Sequence, residues 1–354
     1  MSRQLSYGLA INEAMHQLME RDESVFLTGQ GVISPWYVGN TTQGLFDRFG
    51  PQRIVDTPVS ELCITGAAVG AALAGMRPVV IHPRMDFMLL AVDQVVNQAA
   101  NWHYMSGGRT KVPVTVRGIV NRGGEQAAQH SQSFHALYAH VPGLKVVMPA
   151  TPHDAKGLLI SAVLDDNPVV YIDDRWLYEE TADVPEDFYE VELGKARVAR
   201  EGKDVTIVAT SWLSAQALIA AQGLADEGIE AEVIDLRTLK PLDSQAILES
   251  VAKTGRLVVA DGGWRTCGYA AEVIAGVATE AHDSLRAAPV RVTLPDVPAP
   301  MSKTLEAVFY RRAEHIADGV RAVLGLGRAG SREETDGFAA PGTEVSYAMR
   351  EAVK

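Results

Sequence analysis

Three segments combine residue types suited to proton transfer or ligand contact. In Asp56–Thr57–Pro58–Val59–Ser60–Glu61, Pro58 ends an extended run, Ser60 is placed to cap a helix, and Glu61 falls in its first turn. A carboxylate there faces the positive end of the helix dipole, which favours the ionised form. Taken alone, an acid at this position is more often a plain capping group. In Ala127–Ala128–Gln129–His130–Ser131–Gln132–Ser133, preceded by Arg122–Gly123–Gly124, the histidine lies on a polar, glycine-rich loop between a strand and a helix. Loops at strand ends line ligand crevices, and an imidazole there can carry protons. By itself it is more often a hydrogen-bonded surface group. His135 and His140 fall on the following helical segment and read as structural, while His82 and His103 have no partner that spacing reveals. The third segment, Asp261–Gly262–Gly263–Trp264, follows an apolar strand, and its glycines let backbone amides approach a ligand or a neighbouring subunit. It lacks the spaced glycines of a dinucleotide site.

The elements that must position these residues alternate between short β-branched runs and helical patterns, the mark of a mostly parallel sheet covered on both faces. Strands are expected at Val25–Thr28, Ile54–Asp56, Pro78–Ile81, Val114–Arg117, Lys145–Met148 and Val169–Ile172. Leu9, Ala10, Ala14 and Leu18 form a helical stripe, Ser60 to Ala74 a second helix, Met88–Trp102 a third, and another begins near Thr151–Pro152. Around Thr181–Asp187 the chain turns polar and aperiodic, which marks a domain boundary. A second α/β run follows, with strands at Val205–Ala209, Glu232–Asp235, Leu257–Ala260 and Val290–Leu294. The expected architecture is therefore two three-layer α/β/α domains, 1–180 and 188–326, with a mobile tail over 327–354.

Composition narrows the classes. With 354 residues, 47% apolar and 21% charged, the chain is long enough for two globular cores. A formal charge of −12 argues against a nucleic-acid partner. Apolar stretches are too short for a bilayer, and the first residues read as an amphipathic helix rather than a signal peptide. Two distant cysteines, Cys63 and Cys267, suit a reducing compartment, so a cytoplasmic location is expected. No Walker sequence, serine nucleophile elbow or His/Cys metal cluster is present, and no Gly-Asp-Gly segment with a downstream Asn turn.

Taken in order, DTPVSE (56–61), GAAVGAALAGMRPVV (66–80), DQVVNQAA (93–100), YMSGG (104–108), AQHSQS (128–133) and HVPGLKVVMPATPHDAKGLL (140–159) resemble the β subunit of the thiamine-diphosphate-dependent decarboxylating component of 2-oxo acid dehydrogenases, within the transketolase superfamily. VIDLRTLKPLD (233–243), VAKTGRLVVADGGW (251–264) and PVRVTLPDVPAP (289–300) extend the resemblance through the second domain, to about residue 325. It implies a pyrimidine-binding domain followed by a transketolase C-terminal-like domain. It also implies a cofactor shared between chains, with diphosphate and Mg2+ on an α subunit and the aminopyrimidine on this one. The missing Gly-Asp-Gly pattern agrees. Glu61 is implied as the glutamate that hydrogen-bonds the pyrimidine ring, and His130 as the loop histidine that assists acyl transfer. Met85 and Phe87 are implied beside the pyrimidine. The family's structural K+, held by backbone carbonyls, maps to Val114, Ala162, Asp165 and Asn167. A second β subunit and a lipoyl acyltransferase core are the other implied partners, with neither nucleic acid nor membrane.

Two departures stand out. The family's acidic pair after the first strand is replaced by Gln30–Gly31, and its Phe-x-Phe run by Met85–Asp86–Phe87, preceded by Arg84. The loop Ile33–Asn40, with Trp36–Tyr37, is placed to line a substrate entrance or pack on α. Three readings follow. The first is oxidative decarboxylation of a 2-oxo acid with acyl transfer to a lipoyl group. The second is a two-subunit transketolase-like or acetoin-cleaving enzyme with another acceptor. The third is a non-catalytic scaffold, against which the retention of Glu61 and AQHSQS argues.

Overall fold

The structure, a computed structural model, describes residues 2–34, 37–124 and 126–327. Trp36 and, Gly327 apart, the expected tail 327–354 lie outside them. The chain forms two compact units. Of the described residues, the first comprises those up to Arg122, His130–Lys195 and Arg237–Leu242, and the second those over 123–129, Ala196–Leu236 and 243–327.

The first unit begins with β1 (Ser2–Ser6), α1 (Tyr7–Arg21), β2 (Val25–Gln30), α2 (Leu45–Phe49), β3 (Ile54–Thr57), α3 (Glu61–Leu73) and β4 (Arg77–His82). It continues with α4 (Ala100–Met105), β5 (Thr115–Val120), α5 (His135–His140), β6 (Lys145–Val147), α6 (Pro152–Leu164), β7 (Val169–Asp174) and β8 (Thr181–Pro185). The second unit opens with β9 (Arg197–Arg200), β10 (Val205–Ala209), α7 (Trp212–Asp226) and β11 (Ala231–Asp235). After β12 (Thr238–Lys240), which belongs to the first unit, come α8 (Ser244–Thr254), β13 (Leu257–Trp264), α9 (Tyr269–Glu280), β14 (Val290–Leu294), α10 (Lys303–Phe309) and α11 (Ala313–Val323).

The main sheet of the first unit runs β12-β6-β7-β5-β4-β2-β3, parallel throughout except that β12 pairs antiparallel with β6. All six residues of both β5 and β7 are buried, as expected of central parallel strands covered on both faces. In the second unit the order is β14-β13-β10-β11-β9, with only β9 antiparallel. Its core joins Val205, Ile207 and Val233 of the sheet to Ala221 and Leu224 of α7 and Ile316 and Val320 of α11. The α/β class expected from the alternation is the class observed.

Local differences have identifiable causes. Residues 181–187, expected as a polar connector, contain β8, which pairs antiparallel with β1. Only Val184 of β8 is buried, so no apolar run announces the strand. The single helix expected over Met88–Trp102 is instead a 3-10 turn at Met85–Ala91, a π-helical stretch at Asp93–Ala99 and then α4. The 3-10 turn buries Met85, Asp86, Met88 and Ala91, and the π-helical stretch buries Val95 and Ala99. Such segments are frequent at functional sites. Among the described residues, no helix is long and apolar enough to cross a membrane.

Candidate active site

The chemically promising residues of the first unit all follow the C-terminal ends of its parallel strands. Glu61 comes after β3, Met85–Phe87 after β4, His130 after β5 and Arg175 after β7. In open α/β sheets that edge is where ligands bind. Two buried ion pairs fix the central strands. Arg117 of β5 grips Asp173 of β7 through both carboxylate oxygens, at 2.9 and 2.7 Å, and also donates to Thr41 Oγ1 and Tyr178 OH. Arg122, just beyond β5, donates to Asp174 at 2.7 Å. These pairs anchor the start of the loop that leads to His130.

Glu61 opens α3 and is 6% exposed, although Ser60, Leu62 and Cys63 around it are exposed. Its approach is set by β2–β3 pairing, which aligns Gln30 with Thr57, and by Asp56, whose carboxylate accepts the Val32 amide at 2.9 Å. Ser60 occupies the N-cap position but makes no side-chain capping bond. Among the described residues, none hydrogen-bonds the Glu61 carboxylate. The carboxylate thus stands at the N-terminal end of α3 with its hydrogen-bonding capacity unused by the described residues. The position therefore fits a donor brought by a ligand, such as a protonated or amidine-like ring nitrogen. One turn further along α3, Thr65 Oγ1 lies 3.1 Å from His82 Nε2. His82 is fully buried at the end of β4, and burial pushes its imidazole down to about 4, so the ring is neutral at ordinary pH. This is the partner for His82 that spacing did not reveal. It ties the helix of Glu61 to the strand that leads to Met85.

Past β4, three successive residues hold the histidine loop. Met85 Sδ accepts the Phe134 amide at 3.3 Å. Asp86 Oδ1 accepts both the Gln132 amide, at 3.1 Å, and its side-chain Nε2, at 2.8 Å. The Phe87 ring meets the His130 ring edge-on, centroids 5.3 Å apart. Phe87 and His130 are half-buried and so open to a ligand, whereas Met85 has no exposed surface. Contact between Met85 and a bound ring would require the loop to lift off; as it stands, Met85 supports the loop from beneath. Arg84 is half-buried beside Arg175, and burial together with that neighbouring charge lowers its pKa. Tyr37, on the loop expected at a substrate entrance, accepts from Arg175 Nη1 through its carbonyl at 3.1 Å.

The four positions matched to a structural cation lie at the C-terminal end of α6 and around the start of β5. Hydrogen bonds from Val112 N to Asp166 O and from Val169 N to Val114 O draw these segments together. Arg77 Nη1 also donates to the carbonyls of Val163 and Asp165, both at 3.0 Å. Among the described residues, no cluster of three or more His, Cys, Asp or Glu could hold a metal ion. In the second unit, Asp261 of the DGGW segment is buried and accepts the amides of Gly263 and Ala270, capping α9.

Comparison with known proteins identifies the family. Residues 3–180 match the family described as Transketolase, pyrimidine binding domain, and residues 194–316 the Transketolase, C-terminal domain. The chain is 45% identical to the acetoin:2,6-dichlorophenolindophenol oxidoreductase subunit beta of Cupriavidus necator over 338 residues, covering 93% of this chain and 100% of that one. It is 43% identical to the pyruvate dehydrogenase E1 component subunit beta of Rickettsia felis, covering 90% and 98%. A solved structure described as a split gene transketolase, inactive beta4 tetramer, superposes with a TM-score of 0.72 at 25% identity, covering 92% of this chain and 99% of that one. The chain thus belongs to the transketolase superfamily, among the β subunits of the two-subunit 2-oxo acid dehydrogenase type.

Proposed function

We propose that this chain supplies the pyrimidine side of a thiamine-diphosphate active site, in an enzyme that oxidatively decarboxylates a 2-oxo acid and passes the acyl group to a lipoyl group. The observation that carries the proposal is the Glu61 carboxylate, buried at the strand edge with no hydrogen-bond partner among the described residues. When bound, the cofactor contributes a nucleophilic carbon and an electron sink. The protein's part is to orient it and to manage protons. Glu61 holds a proton at a pyrimidine ring nitrogen, Phe87 borders the ring over the support of Met85, and His130 exchanges a proton with the substrate side. The α subunit brings the diphosphate and Mg2+ site.

Exposed apolar side chains on the first unit, among them Val59, Leu62, Leu90, Tyr104 and Met105, support contacts with α and with a second β subunit. A lipoyl acyltransferase core and a structural K+ at the carbonyls of Val114, Ala162, Asp165 and Asn167 complete the assembly in this reading. Its two cysteines are free and exposed, which suits a reducing cytoplasm. Domain limits at 1–180 and 188–326 belong to the same proposal.

The altered Gln30–Gly31 and Met85–Asp86 positions, with the similarity to an acetoin oxidoreductase subunit, favour a second reading in which a hydroxyketone is the donor and the acceptor is not lipoyl. Co-expression with the α chain and dye reduction assays on pyruvate, branched 2-oxo acids and acetoin separate the two. In either case Glu61→Gln is expected to lower kcat at least about 100-fold, the range of a positioned proton-transfer group. Full activity of that variant defeats the assignment.

A further inference from the structure

We propose that Asp86 is a positioning residue for His130: its carboxylate fixes the AQHSQS loop so that the imidazole stands against Phe87. The inference deepens the proposed function and rests on His130 being the proton carrier there.

The geometry has a regular register. Met85, Asp86 and Phe87 contact Phe134, Gln132 and His130 in turn, so three successive residues grip alternate positions of the loop. Only Asp86 holds its partner by both main chain and side chain, which fixes the height and the rotation of the segment together. Asp86 is 5% exposed, and its second oxygen, Oδ2, has no hydrogen-bond partner among the described residues. Burial raises its carboxyl pKa, while the Gln132 bonds and the nearby His130 oppose the rise. A partly unpartnered buried carboxylate is not what folding alone selects. His130 ends a single 3-10 turn, and Ala127 just before that turn adopts a left-handed backbone, φ 59°, that an alanine rarely tolerates. Without Asp86, relaxation of that turn carries the imidazole away from Phe87.

The test uses the full β chain assembled with its α subunit and thiamine diphosphate. Asp86→Ala is expected to lower kcat about 10- to 100-fold, the cost of misplacing a reacting group by roughly an ångström, with KM for the cofactor nearly unchanged. Asp86→Asn, which keeps an acceptor for both Gln132 bonds, restores most of the rate. In a His130→Ala background, Asp86→Ala adds no further loss. Independently of turnover, hydrogen exchange of the peptide covering residues 128–134 accelerates in Asp86→Ala and returns to normal in Asp86→Asn. Should Asp86→Ala fail to assemble, Gln132→Ala removes the side-chain half of the same contact, leaving the main-chain bond, and must move exchange and rate in the same direction by a smaller amount. Losses that multiply across Asp86→Ala and His130→Ala, or loop exchange unchanged in Asp86→Ala, overturn the inference. Exchange that follows the expected pattern in a complex inactive on every 2-oxo acid and hydroxyketone tried leaves the anchor standing and sinks the proposed function instead.

Discussion

His82 makes the stability of the first unit depend on pH in a window that can be worked out. The ring is 1% exposed, and burial holds its pKa at about 4 against 6.5 for an unburied imidazole. Between these values the unfolded chain binds a proton that the folded chain does not. Stability therefore rises with pH through this window and is lost as pH falls from 6.5 towards 4. A gap of 6.5 − 4 = 2.5 units, at about 1.4 kcal/mol per unit, amounts to about 3.5 kcal/mol lost in full and about 2 kcal/mol lost by pH 5. The perturbation is His82→Leu, which keeps the apolar volume and removes the titrating group. Urea unfolding of both proteins, followed from pH 7.5 to pH 5, measures the difference in slope. Wild type should lose about 2 kcal/mol more than the variant over that range. Parallel pH dependences would show that the ring is accessible to protons in the folded state and that the argument from burial is wrong. Because Thr65 Oγ1 faces the ring nitrogen one turn along α3 from Glu61, acid should disturb the Glu61 turn before the sheet as a whole.

Two further outcomes follow from the same structure. Arg117→Met leaves Asp173 buried and stripped of its bidentate partner, and should destabilise the protein by about 3–5 kcal/mol in chemical unfolding; the double variant with Asp173→Leu should regain most of that. Exchanging K+ for choline in the buffer should lower Tm by a few degrees if a cation sits on the carbonyls at the end of α6, since a ligand that binds only the folded state stabilises it by mass action; an unchanged Tm removes the cation from the proposal.

How much of this was legible in the sequence varied with the physical signal. The parallel strands were plain, because β5 and β7, buried on both faces, are rich in β-branched residues. Even so, Arg117 in VTVR hides a fully buried ion pair, since its partner Asp173 lies 56 residues away and is joined to it only by strand pairing. Strands β8 and β12 escaped for the opposite reason. They are short edge pairings with few buried apolar side chains, and β12 joins the first sheet from a segment that sequence order places inside the second domain. Glu61 was visible as a first-turn acid, but composition and spacing alone could not separate a capping role from a catalytic one. The family resemblance supplied the role, and the structure added that the carboxylate has no partner among the described residues.

The departures from the family pattern take on a different meaning once the contacts are known. From sequence, Met85–Asp86 looked like the loss of one aromatic wall beside a cofactor. In the structure neither residue is a wall. Met85 lies wholly beneath the loop, and Asp86 holds Gln132 by two bonds. The surviving aromatic, Phe87, is the one that meets His130. Under the proposed function, a change at Met85 or Asp86 therefore acts first on the placement of the histidine. That ordering matters for specificity. If the loop sets where the imidazole stands, substrate preference can shift through residues that never touch substrate. A swap of Met85–Asp86 between this chain and its acetoin- and pyruvate-type relatives should then move kcat more than KM.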